Sequence, residues 1–217
     1  MLKDCQKKGK IVNLGVTNWD LEQTARFVDA GFDIAATQVQ YSVLDRRPTY
    51  GLTDWAKHHD IQLLCYGTLA GGFLTDKWLG QPDPGFAFEN RSLVKYRLII
   101  DEFGAWEQFQ ALLSLLKAIG DRHGVSLSSV ATRWVLDQPQ VVAGIVGARY
   151  ASHLPKTLET FEFTLDREDH ADIDALQRQA KGPAGKVFGL EADRTSRHGS
   201  IMKYNLNTRP QDQVLGR

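Results

Sequence analysis

The run Ile61-Gln62-Leu63-Leu64-Cys65-Tyr66-Gly67-Thr68-Leu69-Ala70-Gly71-Gly72-Phe73-Leu74-Thr75 holds the residues best placed to do chemistry. An apolar segment of strand length ends in an aromatic side chain, Tyr66, and a small-residue turn follows at once. With little side-chain bulk, such a turn lets a ligand approach the backbone closely. Parallel α/β folds bind cofactors at strand ends of this kind. Tyr66 offers a flat surface for a planar ring. Metal chemistry is not expected. His58 and His59 are adjacent, diverge on a helix and read as a solvated helix end. Cys65 lies among apolar residues and reads as an inert core thiol. His123, just ahead of Gly124, reads as a helix C-terminus.

The elements that must position Tyr66 alternate in type. Ile11–Val16 reads as a buried strand, and Asp20 as the N-cap of a helix from Leu21 to Ala30 that Gly31 closes. Ala35–Val39 is a second strand. Pro48 and Asp54 flank the start of a helix ending near His59, and Ile61–Cys65 is the third strand. A long irregular stretch, rich in Gly, Pro and Asp, is expected from Gly67 to Phe103, and a loop of that length is usually functional. Helices follow from Ala105 to His123 and, capped by Ser126, on to Leu136. Val141–Val146 is the fourth strand. Two helices, Ser152–Thr160 and Arg167–Ala180, come next. From Gly182 a polar tail is expected to run over the surface, its basic segment Arg194–Lys203 solvated or docked.

Lysine plus arginine equals aspartate plus glutamate at 26 each, so no bulk charge favours nucleic acid or an acidic membrane. The 217 residues suffice for one sizeable core, and two cysteines are too few for a disulfide framework. No apolar run is long enough to span a bilayer. A soluble, cytoplasmic protein is expected, with the question of an organelle address ahead of Met1 left open.

Short apolar strands alternating with helices imply a parallel sheet joined by right-handed crossovers. An open doubly wound sheet and a (β/α)8 barrel both use that alternation. A Rossmann sheet calls for Gly-x-Gly-x-x-Gly after its first strand, which Leu14-Gly15-Val16-Thr17-Asn18 does not supply. Four repeats make half a barrel, and a whole one takes roughly 250 residues. The pattern alone leaves the two architectures open.

Several separated segments carry a resemblance. Gly9 to Trp19 is similar to the fifth-strand signature of the aldo-keto reductases, Gln38 to Arg47 to the sixth, the Tyr66 run to the seventh-strand cofactor loop, and Ala143 to Arg149 to the eighth-strand end. The resemblance implies an α/β fold, a partial (β/α)8 TIM barrel of about four βα units with extra C-terminal helices, and a dinucleotide cofactor, NADP with NAD as the other possibility. By the same resemblance Thr17, Asn18 and Gln38 hold the nicotinamide amide and Tyr66 stacks on its ring. Gly67, Thr68, Leu69, Ala70 and Gly71 wrap the pyrophosphate, with Lys77 and Arg91 as its cationic contacts. Gly147 and Arg149 lie toward the adenosine. The chemistry suits these side chains: Asn18 and Gln38 each carry a donor and an acceptor, and Lys77 and Arg91 carry positive charge.

Two departures stand out. Where the family carries a Gln-or-Arg-Leu-x-Glu-Asn pattern, this chain has His153, Leu154, Pro155, Lys156 and Thr157. The added positive charge of His153 and Lys156 favours a 2′-phosphate, hence NADP. The family's proton-handling Tyr, Lys, Asp and His, carried on its first four strands, have no counterpart, so no catalytic residue is assigned. The expectation is an NADP-dependent carbonyl reductase whose C-terminal portion, residues 1–180 followed by a tail at 181–217, keeps the cofactor half. Fragment, gene-model truncation and natural product are left as alternatives. Small-molecule carbonyls are the full-length family's substrates. The competing reading is a non-catalytic nucleotide-binding or interaction module, or a decayed gene product. A half barrel leaves strand edges unpaired, so self-association or a complementary half barrel is expected.

Overall fold

A computed structural model of the chain describes residues 1–147 and 150–202. Helix α1 (Leu2–Lys7) precedes β1 (Leu14–Thr17), α2 (Leu21–Asp29), β2 (Ile34–Gln40), α3 (Leu52–His58) and β3 (Gln62–Tyr66). Three consecutive helices follow, α4 (Arg91–Phe103), α5 (Ala105–His123) and α6 (Leu127–Leu136), and then β4 (Val141–Ile145). The remaining helices are α7 (Leu154–Leu158), α8 (Arg167–Gln177), α9 (Gly189–Ala192) and α10 (Arg197–Ser200).

The four strands form one parallel sheet in the order β1-β2-β3-β4. A doubly wound sheet reverses its strand order at a switch point. This sheet runs in chain order throughout, so right-handed crossovers put every connecting helix on the same face. The result is part of a barrel wall, four βα units of a (β/α)8 barrel. Among the described residues the outer edges of β1 and β4 have no strand partner. Along β3 burial alternates: Leu63 and Cys65 are fully buried under the helices, and Gln62, Leu64 and Tyr66 on the opposite face are half-buried. That second face is the barrel's interior side, and it is only partly covered.

Local chemistry explains most boundaries. Asp20 caps α2 through the Gln23 N–H, and the Gln23 side chain accepts from the Asp20 N–H in return. Ser126 caps α6, and Gly124 ends α5 in the left-handed region. α5 buries Trp106, Phe109, Leu112, Leu113, Leu116 and Ile119 along one stripe, the spacing of a helix with one face in the core.

Two expectations are corrected. The stretch from Gly67 to Phe103 is not irregular throughout, because its last third is α4. Asn90 caps that helix by accepting from the Leu93 N–H, and Tyr96, Ile99, Ile100 and Phe103 go into the core. The Gly- and Pro-rich first part obscured a helical period that begins only at Leu93. The tail does not simply run over the surface either. Val187, Glu191 and His198 are buried. His198 Nε2 lies 3.1 Å from a Glu102 carboxylate oxygen, and Lys181 N–H donates to the Phe103 carbonyl, so residues 181–202 dock against α4. The four-residue helices α9 and α10 hold too few apolar side chains to signal that docking by period. Tail residues 203–217 lie outside the described residues.

Candidate functional site

β1, β2 and β3 end together, and their last residues meet. Thr17 pairs in register with Gln38, and Gln40 with Tyr66. Asn18, one residue past β1, adopts a left-handed conformation (φ 58°) that asparagine tolerates better than most side chains. Its backbone N–H donates to the Gln38 carbonyl at 2.9 Å. Its side-chain Oδ1 accepts from the Tyr66 hydroxyl at 2.7 Å, and the Thr17 hydroxyl donates to Gln38 Oε1 at 3.2 Å. Burial pushes the Tyr66 phenol above its ordinary range, so it stays protonated and can donate. Both amide oxygens are thus engaged. The NH2 groups of Asn18 and Gln38 have no partner among the described residues. Gln40 Oε1, on the strand residue in register with Tyr66, is a buried acceptor with no donor among the described residues. Tyr66 therefore lies with Asn18 at the strand ends, backed by free donors and one free acceptor. Such a set suits a planar ring bearing a carboxamide.

The turn after β3 is held by a residue that sequence reasoning did not single out. A Cβ added at Gly67 would fall 2.5 Å from the Tyr96 hydroxyl oxygen, and one at Gly71 would fall 2.6 Å from the Tyr96 ring. Both glycines have positive φ (71° and 66°). The space they leave is filled on that side by the Tyr96 ring of α4. Thr68 and Ala70 are buried, and Leu69 packs against the core. Next to Tyr96, the Lys95 ammonium sits 5.0 Å from the Tyr66 ring centroid and 4.4 Å from that of Tyr96. Burial lowers the Lys95 pKa to about 8. The Asn90 cap and the apolar positions 93, 96, 99, 100 and 103 are the signal that places both residues on a helix.

A buried ionic network adjoins this pair. Arg47 bonds Asp45 through Nε (2.9 Å) and Nη2 (2.6 Å), and Glu191 of α9 through Nη1 and Nη2 (both 2.8 Å). Gln40 Nε2 donates to Asp45 at 2.7 Å. All four side chains are nearly inaccessible. Burial opposes the Glu191 charge, but the Arg47 hydrogen bonds and charge outweigh it and hold the carboxyl below its ordinary range.

The other sequence-predicted site residues lie apart from Tyr66 in their contacts. Lys77 is exposed in a 3-10 turn, its ammonium 5.3 Å from the Trp78 ring. Arg91 is exposed at the first position of α4. Gly147 is exposed, and Arg149 lies outside the described residues. His153 and Lys156 are exposed around α7, where the Thr157 hydroxyl donates to the His153 carbonyl. No described contact joins any of these side chains to Tyr66. His58 is exposed, as expected, and Cys65 is buried with its thiol pushed up to about 12. His123 does more than end a helix, since its Nε2 lies 2.6 Å from an Asp169 oxygen.

Comparison with known proteins finds relatives of this fold. The family model described as Aldo/keto reductase family matches residues 1–178. The aldo-keto reductase YhdN of Bacillus subtilis is 30% identical over 189 residues, covering 87% of this chain and 56% of that protein. Among solved structures, the glycerol dehydrogenase AKR11B4 of Gluconobacter oxydans superposes with a TM-score of 0.70 at 25% identity, over 85% of this chain and 54% of that one. An aldo/keto reductase of Klebsiella pneumoniae, solved in complex with NADP and acetate, shares the fold with a TM-score of 0.59 at 22% identity, over 85% and 54%. The chain spans about half the length of these relatives.

Proposed function

Since this chain belongs to the aldo/keto reductase family, we propose that it is the cofactor-holding, C-terminal portion of an NADP-dependent carbonyl reductase. The carrying observation is the Tyr66–Asn18 hydrogen bond, which joins a flat ring to an amide with a free NH2 at the strand ends. When bound, the dinucleotide supplies the hydride. The chain's part is to hold it. Tyr66 offers its face to the nicotinamide ring, and Asn18 and Gln38 offer NH2 groups to the carboxamide oxygen. Gln40 Oε1 stands by as an acceptor. The turn from Gly67 to Gly71, with Thr68, Leu69 and Ala70, lies along the pyrophosphate, with Lys77 and Arg91 as counter-charges. Gly147, Arg149, His153, Lys156 and Thr157 serve the adenosine end and its 2′-phosphate. Residues 1–180 act as the oxidoreductase domain portion and 181–217 as its tail. On this reading the given residues hold the cofactor and offer no counterpart of the family's proton-handling groups, so by themselves they bind it without reducing a carbonyl.

The direct experiment is titration of the purified chain with NADPH, followed by tryptophan fluorescence or calorimetry. Saturable binding, tighter than for NADH, is expected. Tyr66→Ala should weaken it about tenfold, from lost stacking and buried area. Affinity unchanged in that variant would remove Tyr66 from the site.

A companion proposal concerns partners. The free edges of β1 and β4, the half-covered interior face and the exposed Val142, Ile145 and Val146 favour association with a complementary half barrel or a second copy. An apolar groove of about 370 Å³ at β1, lined by Leu14, Val16, Trp19, Phe27, Phe32 and Ile34 among others, adds to that surface. Sedimentation velocity should show a mass that rises with concentration. A strict monomer at high concentration would count against it.

A further inference from the structure

Lys95 sets a charge over the ring proposed for stacking. Its ammonium lies over Tyr66 and Tyr96 and has no hydrogen-bond or ion-pair partner among the described residues. The charges that act on it come from Asp45, Glu191 and Arg47. Resting on the reading of Tyr66 as the nicotinamide surface, we infer that Lys95 sets the preference of the site between the two redox forms of the cofactor.

The reduced dihydronicotinamide ring is neutral, whereas the oxidised ring carries a positive charge. The phosphates and adenosine are the same in both. A ring brought to Tyr66 comes beside an ammonium that no carboxylate directly neutralises. Two like charges close together in a partly desolvated site repel strongly. The neutral ring meets no such repulsion and keeps its stacking. Lys95 thereby favours loading with the reduced form and release of the oxidised one. Without the ammonium that repulsion is gone, and the oxidised ring binds more tightly. Lys95 is thus a specificity-determining residue for redox state. The adenosine-end residues, whose ligand groups do not change between the two forms, cannot serve that role.

The test compares dissociation constants of NADPH and NADP+ by calorimetry for the wild-type chain, Lys95→Met, Lys95→Gln and Lys95→Arg at neutral pH. The wild-type chain should bind NADPH at least tenfold tighter than NADP+. Either neutral variant should cut that ratio at least fivefold, chiefly by tightening NADP+. Lys95→Arg should keep the wild-type ratio. Far-UV circular dichroism verifies that each variant is folded, and Gln substitutes for Met if Met perturbs α4. Binding of both forms with the ratio within twofold of wild type in the neutral variants overturns the inference and leaves Tyr66 as the site. Failure of NADPH to bind the wild-type chain overturns the cofactor reading and this inference with it.

Discussion

Replacing Arg47 with Met is expected to cost about 3–5 kcal/mol of folding free energy, the usual result of removing one partner from a buried ion network. Arg47 is 2% exposed and its two carboxylate partners no more than 1%. Its four bonds to Asp45 and Glu191 satisfy charges that water cannot reach. Methionine fills the volume but leaves two carboxylates together in a desolvated place. Urea unfolding followed by tryptophan fluorescence would measure the loss, and a change below about 1 kcal/mol would sink the argument. Because Glu191 belongs to the docked tail, residues 182–202 should also become the first site of proteolysis in the variant. The same network makes the chain acid-sensitive. Glu191 has a folded pKa below its ordinary value of 4.5, so its contribution is fully present above pH 4.5 and is lost as pH falls through the lowered value. Glu191→Gln should flatten that part of the stability profile.

Gly67→Ala is the second change with a large expected effect, about 2–5 kcal/mol from two additive sources. The backbone there has φ 71°, which strains any residue with a Cβ. The new methyl would also lie 2.5 Å from the Tyr96 hydroxyl oxygen and 3.0 Å from its ring. Tyr96 is buried in the core, so it cannot swing aside without opening a void. The two sources separate in a double-mutant cycle. Tyr96→Ala removes the clash but not the backbone strain, so Gly67→Ala should cost less on that background, by at least about 1 kcal/mol. Equal costs on both backgrounds would mean that Tyr96 does not set the shape of this turn.

Much of the architecture was legible in the chain itself. Asp20, Ser126 and Gly124 marked helix ends because capping is a local energy between residues a few positions apart. Short apolar runs marked the strands for the same reason. The family followed from several separated motifs in the right order, and Tyr66 stood out through the small residues behind it. Even α4 left a readable trace in Asn90 and the apolar spacing after Leu93, obscured by the Gly- and Pro-rich segment ahead of it.

Only the tertiary structure decided what surrounds Tyr66. Its hydroxyl meets Asn18 across 48 positions, and Arg47 meets Glu191 across 144. Neither pairing has a period or spacing in the sequence. Each depends on how three parallel strands bring their ends level and on where the tail returns after the last long helix. Lys95 shows the same limit at close range. In the sequence it is one lysine in a stretch expected to be irregular, and only the packing of α4 onto the turn after β3 sets its charge over two tyrosine rings. Capping and periodicity are settled between neighbours along the chain. The electrostatics of the site are settled between groups that the fold alone makes neighbours.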